Sequence, residues 1–375
     1  MTNVDLLFQK IDSGREGKNI GLKTGIPKMD EFTGGIQPLY TLIFGVSGSG
    51  KSALALYSYM YRPLKDYPEK NIKICYFSLE LSAELLLAKL LCLYIYEEYG
   101  VIIPFTKLMS WNHILDDADY QYVLKARQWL ETVNSKLIIY DTALTANSFY
   151  SKVKNLLEDN GIFYPSPDGR RTLYKKNDPD QSIIVVVDHL NLTTAINGRS
   201  KKEEIDLISK EAVTLRNQCS ISFFMLMQEN RNSASMDRRK ADLTECSSED
   251  IQDTSAPFQD CEVCIGVYYP LKFRLKTHKN FPIIIDDVTS DWDGLRDRYR
   301  SLQLIKNRQG QSEKAVPVNF FGEIGYWNQF PKADEVKDFK KYLNLHTALK
   351  QEEEDEDFSL EDTKEKDDKP LTFSF

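Results

Sequence analysis

Short apolar runs alternate with amphipathic stretches along most of this chain, and the alternation predicts strands and helices in turn. Strands are predicted at 40–44, 72–77, 137–140, 183–187, 221–227, 262–269, 301–306 and 315–320. Helices are predicted at 51–61, 82–99, 147–158 and 203–217. Continuous apolar strands separated by helices are typical of an α/β fold with a mainly parallel sheet flanked by helices. The last strands follow one another without helices, which predicts an antiparallel C-terminal extension.

Pattern and composition divide the chain into four segments. We expect an N-terminal linker helix in residues 1–20, an α/β body at 21–335, a C-terminal helix at 336–350 and a disordered acidic tail at 351–375. Within the body, 160–182 and 270–300 lack a clear period and are expected to be surface excursions. The tail is rich in charge and poor in aromatic residues, which is typical of disorder.

The net charge of −8 belongs to the tail and leaves the body neutral. Residues 351–375 hold 11 acidic residues and 3 lysines, so the other 350 residues carry 45 charges of each sign. An apolar fraction of 42% is enough for a core, and no run is long enough to span a membrane. The N-terminus lacks a signal-peptide pattern and the six cysteines are scattered, so we expect a cytoplasmic protein of a bacterium or of a virus-infected host.

The eight residues that follow the first predicted strand carry a phosphate-binding motif. They fit G-x-x-x-x-G-K-[ST], and the candidate nucleotide-binding residues are Gly45, Ser47, Gly48, Ser49, Gly50, Lys51 and Ser52. Glycines let the backbone wrap an anion closely, and a helix N-terminus favours negative charge. In this motif the lysine reaches the β- and γ-phosphates and the serine binds Mg²⁺, so ATP and Mg²⁺ are the expected ligands.

Three other predicted strands end in polar residues that suit nucleotide chemistry. Asp188 follows an apolar strand, where a carboxylate can hold Mg²⁺. Glu80 ends another strand and is a candidate general base, although it could equally precede the next helix as a capping residue. Gln228 ends a third strand and could sense the γ-phosphate by a hydrogen bond, or be an ordinary polar strand end.

Taken together, these motifs resemble the motor domain of DnaB-like replicative helicases, a branch of the RecA-like ATPases. The resemblance runs from about residue 20 to 330, in the order of that family. It rests on the segments GLKTGIPKMDEFTGG, FSLELSAELLLAKL, LIIYDTALT, IIVVVDHLNL, FMLMQENR and LQLIKNRQGQ. It implies a RecA-like ATPase and helicase motor domain at 21–335.

The resemblance also implies a role for each matching residue. Glu80 resembles the catalytic base, Asp188 the Walker B acid and Gln228 the sensor between γ-phosphate and DNA. Lys306 and Arg308 resemble the pair that reaches the nucleotide of a neighbouring subunit, with Arg308 as arginine finger. A finger of this kind can raise turnover by about 10³–10⁵. If it acts in trans, the active form is a homo-oligomeric ring, and we expect a hexamer.

Two basic segments are predicted to contact single-stranded DNA through its phosphates. They follow the strands that end at Asp188 and Gln228, and they should leave the same edge of the sheet. The candidate DNA-binding residues are Arg199, Lys201, Lys202, Arg231, Arg238, Arg239 and Lys240. For each of them an ordinary solvated loop is the alternative.

The chain departs from the family pattern at several positions. His189 stands where the family usually has tyrosine, and the 246–258 loop is long and acidic. Only about 20 residues precede the predicted motor, so we expect this chain to lack the family's N-terminal collar domain. We predict an ATP-dependent helicase, with primase, a loader or a single-strand-binding protein as candidate partners. The alternatives are a RecA-like recombinase or loader, and a non-motor, ATP-gated DNA-binding component of a replication complex.

Overall fold

A computed structural model describes residues 3–166, 169–196, 198–230, 244–287 and 289–345. The first described element is helix α1, Asn3–Arg15, which lies within the segment 1–20 where the sequence predicted a linker helix. Its apolar side chains Val4, Leu7, Phe8 and Ile11 are exposed. A short helix, α2 at Pro27–Thr33, follows in the approach to the first strand. Across the described residues, every helix is too short or too polar to span a bilayer.

The central strands and the helices between them follow the predicted alternation closely. The bounds are β1 Tyr40–Gly45, α3 Lys51–Leu56, α4 Arg62–Asp66, β2 Ile72–Ser78, α5 Ala83–Tyr99, α6 Phe105–Leu108, α7 Asp117–Asn134, β3 Leu137–Tyr140, α8 Ala146–Asn160, β4 Gly161–Pro165, β5 Thr172–Lys176, β6 Ser182–Asp188, α9 Lys201–Cys219 and β7 Ser222–Gln228. A π-helical turn, Tyr57–Tyr61, joins α3 to α4, so the helix after the phosphate-binding loop is longer than predicted. Helices α6 and α7 lie in a stretch to which the sequence assigned no element.

The remaining elements build the extension of the sheet. They are α10 Ala256–Asp260, β8 Val263–Tyr268, β9 Thr277–His278, β10 Phe281–Pro282, β11 Tyr299–Asn307, β12 Lys314–Phe321 and β13 Tyr326–Gln329. Near the C-terminal end of the described residues the structure has a 3₁₀ turn, Phe339–Leu343. Residues 346–350 of the predicted C-terminal helix and the tail at 351–375 lie outside the described residues.

Nine of the described strands form one sheet in the order β13-β12-β11-β8-β1-β7-β6-β2-β3. Strands β3, β2, β6, β7, β1 and β8 run parallel, and β11, β12 and β13 continue the sheet in antiparallel fashion. Every residue of β1 is buried, as a strand covered on both faces requires. The predicted fold class is therefore confirmed.

One hydrophobic core lies on each face of the sheet. The first contains Ile43, Ile74 and Val186 and packs against α3, α4 and α5. The second contains Leu42 and Val185 and packs against α8 and α9. Because neighbouring residues of a strand point to opposite faces, each of the parallel strands contributes to both cores. The excursion at 160–182 contains a hairpin, β4 paired with β5.

Candidate nucleotide-binding and catalytic site

The phosphate-binding loop joins β1 to α3 at the carboxyl edge of the parallel strands. Gly48 and Gly50 have φ angles of +78° and +100°, a region that L-residues rarely adopt. A Cβ atom at Gly50 would lie 2.8 Å from the ring of Trp327. Position 50 therefore requires glycine for both its backbone angle and its space.

Lys51 is the first residue of α3, and its side chain folds back over the loop. It is 8% exposed, and Nζ donates to the carbonyl oxygens of Gly45, at 2.9 Å, and Val46, at 3.0 Å. Burial lowers the pKa of Lys51, and nearby carboxylates, Asp188 foremost, act in the opposite direction. The ammonium group is thus held inside the loop, where a bound phosphate chain would need it.

Ser52 and Asp188 meet beside the loop. The Ser52 hydroxyl donates to Asp188 Oδ1 at 2.9 Å, and the Tyr76 hydroxyl donates to Oδ2 at 2.9 Å. Burial raises the pKa of Asp188, while these two hydrogen bonds act in the opposite direction. A hydroxyl and a carboxylate are oxygen ligands of the kind that Mg²⁺ prefers, and Mg²⁺ takes its other ligands from water and substrate phosphates. The residues present therefore fit this ion.

Glu80 follows β2 at the same edge, next to the strand that ends at Asp188. Its side chain is 49% exposed, and Oε1 lies 3.1 Å from Nε2 of His189. His189 itself is 7% exposed. Among the described residues its other ring nitrogen, Nδ1, is buried and has no hydrogen-bond partner. A buried imidazole thus holds one oxygen of a carboxylate that remains open to solvent, which is a suitable arrangement for a general base.

Gln228 lies beside the phosphate-binding loop because β7 pairs with β1 and places it opposite Gly45. Its backbone N–H donates to Asn191 Oδ1 at 2.8 Å. Asn191 Nδ2 in turn donates to Asp253 Oδ2 at 2.8 Å, and the same oxygen lies 3.1 Å from Nζ of Lys201. The end of β7 is therefore connected to the first residue of α9 through two side chains.

Lys306 and Arg308 lie near the amino ends of the parallel strands, opposite the end that carries the phosphate-binding loop. Strand β11 runs antiparallel to β8, so Asn307 pairs with Val263 at the start of that strand. Arg308 is exposed, and its Nη2 donates to the carbonyl oxygen of Gln259 at 2.8 Å. Lys306 Nζ donates to the same carbonyl at 3.0 Å. The structure does not bring these two residues to the phosphate-binding loop of their own chain.

The described candidates for DNA binding differ in their surroundings. Arg199 Nε lies 2.9 Å from Oε1 of Glu204, a fully buried carboxylate. Lys201 pairs with Asp253, whereas Lys202 is exposed. The candidates Arg231, Arg238, Arg239 and Lys240 lie outside the described residues.

Sequence reasoning missed three residues that contact the site. Tyr76 lies in the interior of β2, and its hydroxyl binds Asp188. Asn191 lies only three residues after Asp188 in the sequence, and this short distance was a signal that could have identified it. Arg300 lies far away in the sequence, yet it donates to the phosphate-binding loop.

The nine-stranded sheet and this loop define a RecA-like P-loop NTPase fold. The family model for the DnaB-like helicase C terminal domain matches residues 21–164. The replicative DNA helicase DnaB of Helicobacter pylori is 24% identical over 263 residues, which cover 69% of this chain and 46% of that protein. The chain is thus similar to the DnaB-like helicase C terminal domain over residues 21–164, and it spans about half the length of this curated relative.

Solved structures agree on the fold. An ATPase domain aligns with 88% of this chain and 100% of its own, with a TM-score of 0.65 and 17% identity. A DnaB-like replicative helicase, whose structure was described together with its interactions with primase, aligns with 88% of this chain and 68% of its own. Its TM-score is 0.64 and its identity 17%.

Proposed function

We propose that this chain is the motor of an ATP-dependent DNA helicase of the DnaB type. It assembles as a ring, moves along single-stranded DNA and separates duplex. The observation that carries the proposal is the convergence of Lys51, Asp188 and Glu80 at one edge of the sheet. The family match over 21–164 supports it, because that stretch includes Lys51 and Glu80.

Each side chain at this edge has a distinct task in the proposed hydrolysis of ATP. Lys51 binds the phosphate chain, and Ser52 and Asp188 hold Mg²⁺, which neutralises phosphate charge. Glu80 accepts a proton from the attacking water while His189 fixes its orientation. Gln228 contacts the γ-phosphate, so the loss of that phosphate removes a contact at the end of β7.

The contacts that begin at Gln228 offer a route by which ATP hydrolysis could change the position of DNA-binding residues. A shift of β7 would act on Asn191 and then on Asp253, the partner of Lys201. We propose that the exposed Lys202 binds DNA phosphates near this chain of contacts. The basic residues at 231–240, which lie outside the described residues, are proposed to bind DNA phosphates as well. Phosphate contacts carry no sequence information, which suits a motor that must move over any sequence.

The position of Arg308 supports assembly into a ring. An exposed arginine at the far edge is available to the nucleotide of a neighbouring copy, and we propose a hexamer. Lys306 supports Arg308 by donating to the same carbonyl oxygen of Gln259. We also propose a cytoplasmic location, and a loader or a single-strand-binding protein as partners. Primase is a further proposed partner, because the structure of one similar helicase was described together with its interactions with primase.

A strand-displacement assay tests the proposal. The parent chain should separate a forked duplex only when ATP and Mg²⁺ are present, and Glu80→Gln should bind nucleotide but fail to separate strands. The matched control is Glu84→Gln, which removes an exposed carboxylate four residues away and should behave like the parent. DNA binding without unwinding by the parent would favour the non-motor component, and ATP-dependent strand pairing would favour the recombinase.

A further inference from the structure

Arg300 is a buried cation on β11 that donates a hydrogen bond to the phosphate-binding loop. It is 1% exposed, and its Nε donates to the carbonyl oxygen of Ser49 at 2.9 Å. The rest of its guanidinium group binds Asp297, just before β11, and Tyr299, the first residue of β11. Nη1 donates to the carbonyls of Asp297, at 2.7 Å, and Tyr299, at 2.9 Å, and Nη2 lies 3.1 Å from Asp297 Oδ1.

The guanidinium plane is held by aromatic rings as well as by these hydrogen bonds. Its central carbon lies 3.5 Å from the ring centroid of Tyr269 and 5.3 Å from that of Phe320. The Tyr269 hydroxyl donates to the Asp297 carboxylate, which ties the stacking ring to the same group. A guanidinium with several partners and a stacked ring has little freedom to rotate. Its Nε–H is therefore a fixed donor.

The carbonyl of Ser49 determines the direction of the next amide. The peptide bond between Ser49 and Gly50 is trans and planar, so the Gly50 N–H points away from the Ser49 oxygen. Because that oxygen accepts from Arg300, the Gly50 N–H points to the side of the peptide that is opposite Arg300. Backbone N–H groups of the loop are what binds phosphate in this motif.

Two aromatic rings close the space behind the same peptide. Trp327 and Phe320 stack with their centroids 4.3 Å apart, and Trp327 comes within 2.8 Å of the position of a Cβ atom at Gly50. This wall limits the movement of a glycine that could otherwise adopt many backbone angles. Arg300 supplies the directed hydrogen bond, and the rings supply the steric limit.

We propose that Arg300 is a positioning residue for nucleotide binding: it holds the Ser49–Gly50 peptide so that the Gly50 N–H faces the phosphates. This inference rests on the proposed function only in taking the loop as the nucleotide site. A purely structural role for Arg300 makes a different prediction, since it would affect the stability of the fold and leave the nucleotide affinity of the folded protein unchanged.

The test measures nucleotide dissociation constants and thermal unfolding for three variants and the parent. Arg300→Lys keeps the charge but lacks the planar fork, and we expect it to weaken binding of a nonhydrolysable ATP analogue roughly tenfold, since a charged hydrogen bond is lost. Tyr269→Leu keeps the guanidinium but removes its stacking ring and should weaken binding by a smaller factor. It is the milder change and keeps the test decisive if Arg300→Lys does not fold.

The matched control is Arg298→Lys. Arg298 lies two residues away and forms two hydrogen bonds to Glu323, at 2.6 and 2.7 Å, instead of binding the loop. It should lower the unfolding temperature and leave nucleotide affinity unchanged. Parent-like affinity in every folded variant at 269 and 300 would overturn the inference. A parent that binds nucleotide but does not unwind DNA would contradict the proposed helicase alone, because affinity still decides the role of Arg300.

Discussion

Arg308 and Lys51 lie at opposite ends of the parallel strands of one sheet. Lys51 follows the carboxyl end of β1, whereas the Arg308 N–H donates to the carbonyl of Glu262, just before the amino end of β8. Strands β1 and β8 are parallel neighbours, so the two residues are separated by the length of a strand, roughly 20 Å for six residues. An arginine side chain cannot cover that distance. If Arg308 completes a nucleotide site, the site belongs to another copy of the chain.

This separation predicts complementation between two inactive variants. Glu80→Gln inactivates the catalytic site of its own subunit but keeps the arginine finger. Arg308→Ala removes the arginine finger but keeps the catalytic site. In a ring of mixed subunits, about one interface in four combines an intact site with an intact finger. We expect ATP hydrolysis to recover when the two variants are mixed in equal amounts and allowed to exchange.

The control for this mixture is Glu80→Gln with Lys51→Ala. Both changes damage the site and neither damages the finger, so no interface is complete and no activity should return. Recovery in the control, or no recovery with Arg308→Ala despite proven exchange of subunits, would contradict a finger that acts in trans.

The contact between His189 and Glu80 predicts a change in turnover without a change in affinity. Phenylalanine at position 189 fills a similar volume but cannot hold the carboxylate, so Glu80 should spend less time in the reactive orientation. We expect His189→Phe to lower kcat about tenfold or more. The nucleotide dissociation constant should stay near that of the parent.

Steady-state hydrolysis and equilibrium binding measure these two quantities separately. His113→Phe makes the same replacement at an exposed histidine and should leave both unchanged. A parent-like kcat for His189→Phe would show that Glu80 needs no help from this ring.

The pairing of Lys201 with Asp253 predicts unequal contributions from two adjacent lysines. Lys202 is exposed, so Lys202→Ala should weaken single-stranded DNA binding and reduce the salt slope by about 0.7 for each lost phosphate contact. Lys201→Ala should have a smaller effect because Asp253 already neutralises that ammonium group, and Asp253→Asn should strengthen binding.

Fluorescence anisotropy of a labelled oligo-dT across a range of salt concentrations measures affinity and slope together. Lys210→Ala removes an exposed lysine nine residues further along α9 and is the control. Equal losses for Lys201→Ala and Lys202→Ala would mean that the ion pair with Asp253 does not hold in solution.

The strands could be predicted from sequence because burial on both faces demands continuous apolar runs, as at Ile183–Val187. Helix α7 was not predicted, although its apolar face and its capping Asp116, which accepts from the Asp119 N–H, are local signals. The π-helical turn at Tyr57–Tyr61 depends on how its aromatic residues pack, for example Tyr57 against Tyr326. Such long-range packing leaves no local pattern.

The same distinction separates the parts of the site. Lys51, Glu80 and Asp188 each end or follow a local strand or loop motif, so sequence alone could suggest them. Arg300 meets the loop because β11 reaches it across 251 residues of sequence, and only the fold reveals that contact. The pairing of Lys201 with Asp253 likewise depends on the path of the chain just before α10.

Asp30 of α2 is an acid whose environment disfavours its charge. Its carboxylate accepts hydrogen bonds from the Thr24 hydroxyl, at 2.7 Å, and from the Thr24 N–H, at 3.0 Å. Burial nevertheless raises the pKa of Asp30 from 3.8 to about 6, and the hydrogen bonds from Thr24 act in the opposite direction. The folded chain thus keeps a proton that the unfolded chain releases between these two values.

This difference predicts that the free energy of unfolding falls as pH rises from about 4 to about 6, by at most about 3 kcal/mol. The sign follows because the folded state binds more protons in that range, and above it the contribution of Asp30 no longer changes. Asp30→Asn should lack this component, whereas Glu31→Gln, which removes an exposed neighbour, should keep it. Denaturant unfolding from pH 4 to 8 measures the difference between variant and parent. A difference that does not change with pH, or a parent that gains stability relative to Asp30→Asn as pH rises, would contradict a raised pKa at Asp30.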